Sequence, residues 1–218
     1  MIVDSMTHAE VYKELERDRE AVTKWWWHQK ESIRRRVLKS TRFPIQVWFE
    51  YTSPRKNRYL FYTRIFEKRM RHMLTGVTAL RYTPEGLTVY TSWMNGQRLI
   101  QPMVLLPHMW KRYQDPERGN VQKSGVELVK HYFMYNSHGK DTQNNRVMAR
   151  SVRWNGEDHQ ACCVNDGVLL GHVKDDIYIV KTFITYDMTC GLQQQEFEEC
   201  KRHIISDQDM YDRLKFFY

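Results

Sequence analysis

The stretch Phe43-Pro-Ile-Gln-Val-Trp-Phe-Glu-Tyr51 decides how the chain is read. Ile45, Val47, Phe49 and Tyr51 alternate with Gln46, Trp48 and Glu50, which is the period of two expected of a half-buried strand. Ser53-Pro-Arg-Lys-Asn57 follows as a turn, and Asn57-Arg-Tyr-Leu-Phe-Tyr-Thr-Arg-Ile-Phe66 reads as a second strand. Leu74–Tyr82 and Gly86–Trp93 form another pair around Thr83-Pro-Glu-Gly86, so residues 43–93 predict an antiparallel meander of four strands.

Upstream, Thr7-His-Ala-Glu10 fits a capping box, with Thr7 as N-cap and Glu10 reaching back. A long helix is expected to run from there to about Lys39, because Val11, Leu15, Val22, Trp25, Ile33 and Val37 recur at roughly helical spacing. Trp25, Trp26 and Trp27 stand in a row and together sweep about 200° of a helix surface, so one core cannot take all three. Burial on two sides is the expectation; one ring exposed to a partner is the alternative.

Downstream, a helix begins near Pro107 and ends at Asp115-Pro116, and Ser124 caps another carrying Leu128, Val129, Tyr132 and Phe133. A polar stretch and a short helix to Ala149 come next. His159–Val164, Gly167–Val173 and Ile177–Thr185 then return to strands, with turns at Asn165-Asp-Gly167 and Lys174-Asp-Asp176. A last helix over 188–204 and a short one in the tail complete the expectation. The fold class is α+β: a long N-terminal helix on an antiparallel meander, then helices and a second antiparallel sheet with a C-terminal helix. No repeat, low-complexity tract or Pro/Gly/Ser-rich linker divides the chain. One compact unit over 1–218 is therefore favoured, with 1–100 as a helix plus basic sheet and 101–218 as a helix–sheet half.

Composition narrows the function. The 218 residues are 41% hydrophobic and 13% aromatic, enough for a substantial core. No apolar run approaches a bilayer span, and the first residues lack the basic and apolar segments of a secretory signal, so neither a membrane nor export is expected. The four cysteines include no C-x-x-C pair, which fits reduced thiols in a cytoplasmic protein. The net charge of +8 is concentrated: residues 30–72 hold 13 Lys and Arg against Glu31, Glu50 and Glu67. Such a segment attracts phosphate polymers, and Arg34, Arg35, Arg36, Arg55, Lys56 and Arg58 are its candidate RNA- or DNA-binding residues. A solvated surface, or one meeting an acidic protein, is the alternative.

The stretch Leu105-Leu-Pro-His-Met-Trp-Lys-Arg-Tyr-Gln-Asp-Pro-Glu-Arg118 carries the candidate chemistry. On a helix, Leu106, Met109, Trp110 and Tyr113 make one apolar stripe, while His108, Arg112 and Asp115 share an arc of about 60° opposite it. Histidine suits proton transfer and the arginine fork suits a phosphate, so the face could serve metal-free RNA cleavage, in which a base frees the 2′-OH and a cation stabilises the charged phosphorus. A polar helix face carries the same residues without any function.

Pro107, His108, Arg112, Tyr113 and Arg118, in the pattern P-H-x-x-x-R-Y-x-x-x-x-R, resemble the H-x-x-x-R-M/Y-x-x-R helix of RelE-like domains, members of the fold group that includes barnase, EndoU, colicin RNases and RelE toxins. The strand ending in Thr182-Phe183 is similar to the last strand of those domains. The resemblance covers parts of residues 102–186 and implies a site of His108, Arg112 and Thr182. Asp115-Pro116 interrupts the spacing to the last arginine, and about 40 residues separate the helix from the sheet. The leading function is nucleic-acid binding, extended by metal-independent RNA cleavage if this face is catalytic; a non-catalytic adaptor is the alternative.

Other sites read as structural. His172 alternates with Val168 and Leu170 and is expected in the core. Lys181 and Thr182 are expected on opposite faces of their strand. His159, Cys162 and Cys163 lack a second ligand pair for zinc. Glycine-rich nucleotide loops and H-E-x-x-H are absent from the sequence, so no cofactor or metal is expected.

Overall fold

The computed structural model describes residues 1–69, 73–93, 102–136, 152–154 and 157–189. The helices expected up to Ala149 and in the tail, and residues 190–204 of the one expected over 188–204, lie outside the described residues, as do Cys190 and Cys200; Met188 ends a short 3-10 turn, Tyr186–Met188. The described residues fall into two compact units. One holds 1–69, 73–81 and 90–93, and the other 82–89, 102–136, 152–154 and 157–189. None of the described helices is long and apolar enough to cross a membrane.

The first unit is built on α1, His8–Lys39. Thr7 caps it as the sequence expects: the Glu10 amide donates to Thr7 Oγ1 at 3.3 Å, and the Thr7 amide to Glu10 Oε2 at 2.8 Å. Val11, Leu15, Val22, Trp26, Ile33 and Val37 are buried along one face. That face lies on the strands β1 (Ile45–Thr52), β2 (Arg58–Ile65) and β3 (Met73–Thr83), which pair antiparallel from Ile45↔Ile65 and Tyr62↔Gly76 outward. The Tyr62 ring crosses Gly76 so closely that no Cβ fits there. β4 (Gly86–Trp93) follows through the expected Pro84-Glu85 turn.

The tryptophan row resolves differently from the expectation of two-sided burial. Trp26 is buried and stacks on Phe61 at 5.6 Å, and half-buried Trp25 stacks on Tyr51 at 4.6 Å, but Trp27 is 59% exposed. The sheet covers only one side of α1 at this point, so the third ring in the sweep faces outward.

Two carboxylates of α1 are buried against the β1–β2 turn. Asp18 Oδ2 accepts from Ser53 Oγ at 2.6 Å, Asn57 Nδ2 at 2.6 Å and Tyr59 OH at 2.8 Å. Glu14 receives both arms of Arg55, at 2.8 and 2.7 Å, and the amino group of Met1 also donates to it. Buried charge is costly unless paired, so these donors fix which turn of the helix meets which turn of the sheet.

The second unit contains β5 (Met103–Leu105), α2 (Pro107–Gln114), α3 (Gly125–Tyr135), β6 (Val152–Trp154), β7 (Glu157–Val164), β8 (Gly167–Lys174) and β9 (Ile177–Ile184). Its strands run in the order β5-β9-β8-β7-β6. The three long strands are antiparallel as expected, with left-handed Asp175 and Asp176 making the β8–β9 turn. β5, which the sequence reading missed, joins parallel to β9. Leu170 pairs with Thr182 but Gly171 with Val180, so Lys181 is the extra residue of a bulge. The bulge breaks the strict alternation expected of Lys181 and Thr182. His172 is half-buried rather than fully in the core.

Arg55 and its neighbours hold the Glu14 carboxyl down to about 2, below the ordinary 4.5 of glutamate. The group titrates lower in the folded chain than in the unfolded one, so its stabilisation is complete above about 4.5 and is lost as pH falls toward about 2. Urea midpoints measured from pH 6 to pH 2.5 should fall through that window. Glu14→Gln should lower the midpoint at pH 6 and flatten the decline.

Candidate functional site

The α2 face opposite the core takes its shape from a simple periodicity. Met109, Trp110 and Tyr113 are buried, with Trp110 and Tyr113 edge-on to Tyr132 of α3 at 5.4 and 5.3 Å. His108 is left exposed and Arg112 half-exposed. The guanidinium Nε–H of Arg112 donates to His108 Nε2 at 3.3 Å, which assigns the ring proton to Nδ1 in this arrangement. Arg112 also lies 3.7 Å from Asp115, and Arg118 lies 3.4 Å from the same carboxylate.

Asp115 is committed to the loop beyond the helix. Its other oxygen accepts from the Glu117 amide at 3.0 Å, while the amides of Arg118 and Asn120 donate to its carbonyl. The charged face is thus a chain of contacts, His108–Arg112–Asp115–Arg118, that also shapes the loop after α2. A phosphate reaching Arg112 would compete with Asp115, and proton transfer at His108 Nε2 would require the Arg112 contact to open.

Thr182 is positioned apart from that pair. Phe183, the next residue on β9, meets Tyr113 edge-on at 5.1 Å, so Phe183 is the side chain that faces α2. Its neighbour Thr182 turns to the other side of the strand. The structure therefore joins His108 to Arg112 and does not bring Thr182 to them.

A second polar cluster in this unit was not read from the sequence. Tyr113 OH donates to Asp166 Oδ2 at 2.7 Å, and Asn136 Nδ2 donates to the same oxygen at 2.8 Å. The Asp166 amide returns a bond to Asn136 Oδ1 at 3.0 Å, and His131 Nδ1 lies 3.3 Å from Tyr113 OH. Burial and the Asp166 carboxylate push the Tyr113 hydroxyl far above its usual range, so it stays a donor. Burial, helped by the Lys123 charge and opposed by Asp166, lowers the His131 pKa. Lys123, His131, Tyr135 and Asp166 line an open cleft of about 430 Å³. It presents an anchored carboxylate beside an imidazole and an ammonium, a set able to hold a small polar ligand. The sequence shows Asn165-Asp-Gly167 only as a turn; Tyr113 and Asn136 lie 53 and 30 residues away from Asp166.

The basic candidates divide into two places. Arg34 and Arg35 sit 3.7 and 3.8 Å from Glu31, and the Arg36 guanidinium lies over Phe49 at 5.5 Å, all at the C-terminal end of α1. Arg55 is spent on Glu14, Arg58 lies 4.0 Å from Glu50, and Lys56 is an exposed left-handed turn residue. Glu14 and Arg35 are 21 residues apart on one helix, about 31 Å along its axis. No set of three or more His, Cys, Asp or Glu among the described residues is placed to hold a metal.

In comparisons with known proteins, no family model, no curated protein and no solved structure matches the chain.

Tyr113→Phe should cost about 1–3 kcal/mol in urea unfolding, because it removes a buried donor to a carboxylate. His108→Ala and Arg112→Ala lie off the apolar stripe and should each shift stability by less than about 1 kcal/mol.

Proposed function

We propose that the protein binds nucleic acid through the C-terminal end of α1 and the loops beside it. The observation that carries this reading is the gathering of cations at one end of the first unit. Arg36, Lys39 and Arg42 leave the helix end, and Lys68 and Arg69 follow β2. Ile45 pairs with Ile65, so the segments carrying Arg42 and Lys68 emerge at the same edge. Lys39, Arg42, Lys68 and Arg69 are exposed. At the opposite end the cations Arg55 and Arg58 face Glu14 and Glu50. Phosphates favour the first end, where cations outnumber carboxylates. The setting is read as cytoplasmic from the thiol content, and RNA is the first ligand to test.

Affinity for a single-stranded RNA, followed by fluorescence anisotropy, should fall about 300-fold between 50 and 200 mM salt if about six phosphates are contacted. Replacing Lys39, Arg42 and Lys68 with alanine should reduce the salt slope by about 2–3, whereas replacing Lys56 and Arg58 should leave it nearly unchanged. A flat salt response in the wild type would remove the reading, and equal effects of the two sets would move the surface elsewhere.

The contact between His108 and Arg112 on an open helix face supports a second reading, metal-independent RNA cleavage, in line with the RelE-like resemblance of that helix. Purified protein should then cleave RNA in excess EDTA, and His108→Ala should slow cleavage by roughly 10²–10⁴-fold. Binding without cleavage leaves a non-catalytic RNA-binding adaptor.

A further inference from the structure

The outward face of α1 is self-complementary, and we infer that a second copy of this chain packs there, antiparallel, with Trp27 near the two-fold axis. Glu16, Glu20, Thr23, Trp27, Lys30 and Arg34 fall 4, 3, 4, 3 and 4 residues apart. That is the spacing of a seam between two helices. Within the seam Trp27 is 59% exposed, and Leu38, one turn beyond Arg34 on the same side, is 54% exposed. These two large apolar side chains stand about three turns apart on one stripe of the helix.

The charges say what covers the stripe. Along the seam itself, the N-terminal half carries Glu16 and Glu20 and the C-terminal half carries Lys30 and Arg34, while Arg19 and Arg35 lie to either side, each beside a glutamate of its own chain. A parallel partner would set each half against its like. An antiparallel one, with its axis at Trp27, sets residue 27 − n opposite residue 27 + n. Glu20 then meets Arg34 of the second copy, and each Trp27 meets its equivalent. Thr23 and Lys24 face Glu31 and Lys30; the Lys24–Lys30 approach is eased by Glu31 one position away. Glu16, paired with Arg19 of its own chain at 2.9 Å, falls opposite Leu38. A shallow groove between Glu16, Glu20, Lys24 and Trp27 receives that Leu38.

The seam is short, about 33 Å from Glu16 to Leu38, and mostly polar. It therefore belongs with small, reversible interfaces. Lys30, whose ammonium lies 3.3 Å from the Trp27 ring centroid, caps the aromatic centre from its own chain. Lys39, Arg42 and Lys68, the cations that test the RNA surface, lie outside the seam, so different variants test the pairing and the RNA reading.

Sedimentation equilibrium of the full chain, at about 10–500 µM and low salt, tests the inference directly. The wild type should show a reversible monomer–dimer equilibrium that weakens as salt rises. Trp27→Ala should shift it to monomer. Glu20→Lys alone and Arg34→Glu alone should each weaken association by roughly tenfold or more, because each brings like charges together twice. The double variant Glu20→Lys with Arg34→Glu restores opposite charges and should recover the wild-type equilibrium. All three positions are exposed, and circular dichroism checks that each variant keeps its helix content. Three outcomes overturn the inference: a monomer throughout the range, single variants that dimerise like the wild type, or a double variant weaker than either single. A protein that stays monomeric and loses RNA affinity on Trp27→Ala would give the face to nucleic acid instead.

Discussion

The first unit depends on two carboxylates that α1 buries against a turn. Asp18 takes three hydroxyl and amide donors from Ser53, Asn57 and Tyr59, and Glu14 takes the fork of Arg55. Moving α1 along the sheet by one helical turn would leave both charges desolvated without donors, at a cost of several kcal/mol. Apolar burial of Trp26, Val22 and Leu15 is non-directional and fixes the axial position less sharply. The polar pins remove that freedom. They also set the other end: once Glu14 meets Arg55, the antiparallel run of β1 brings Phe49 under Arg36 and leaves Lys39 and Arg42 beyond the sheet edge. The same pins consume Arg55, one of the cations that the charge count alone assigns to a ligand.

The second unit uses a comparable device on a smaller scale. Tyr113 belongs to the apolar stripe of α2, packed on Tyr132 and Phe183, yet its hydroxyl ends on Asp166 with Asn136. One side chain thus fills the core and anchors the β7–β8 turn. The stripe that buries Tyr113 is also what turns His108 and Arg112 outward, so the exposed face follows from packing before any chemistry is asked of it. The Arg112–Asp115–Arg118 contacts then give the loop after α2 its course.

Local patterns in the sequence carried most of the fold. Thr7 and Glu10 mark the start of α1, the alternation from Ile45 to Tyr51 marks β1, and Pro107 and Asp115 bound α2. Each depends on residues within a few positions of one another. What escaped depends on pairs far apart in the chain. Trp27 is exposed because the sheet covers only one side of α1, and β5 is a strand because β9 offers it an edge. The bulge at Lys181 is visible only in the register against β8. The candidate site fared the same way. The angle between His108 and Arg112 is a property of one helix and was legible. The reach to Thr182 is a property of sheet facing and was not. Asp166 looks like an ordinary turn residue until Tyr113 and Asn136 are brought beside it.

The central claim is that folding gathers the basic segment's excess cations at one end of the first unit, while Glu14, Asp18 and Glu50 offset Arg55, Lys56 and Arg58 at the other. Hydrogen–deuterium exchange with and without a single-stranded RNA at low salt tests it most directly. The account predicts RNA-dependent protection of peptides covering residues 34–45 and 66–69, with little change over 53–58. Protection concentrated at 53–58, or confined to 105–118, would contradict it.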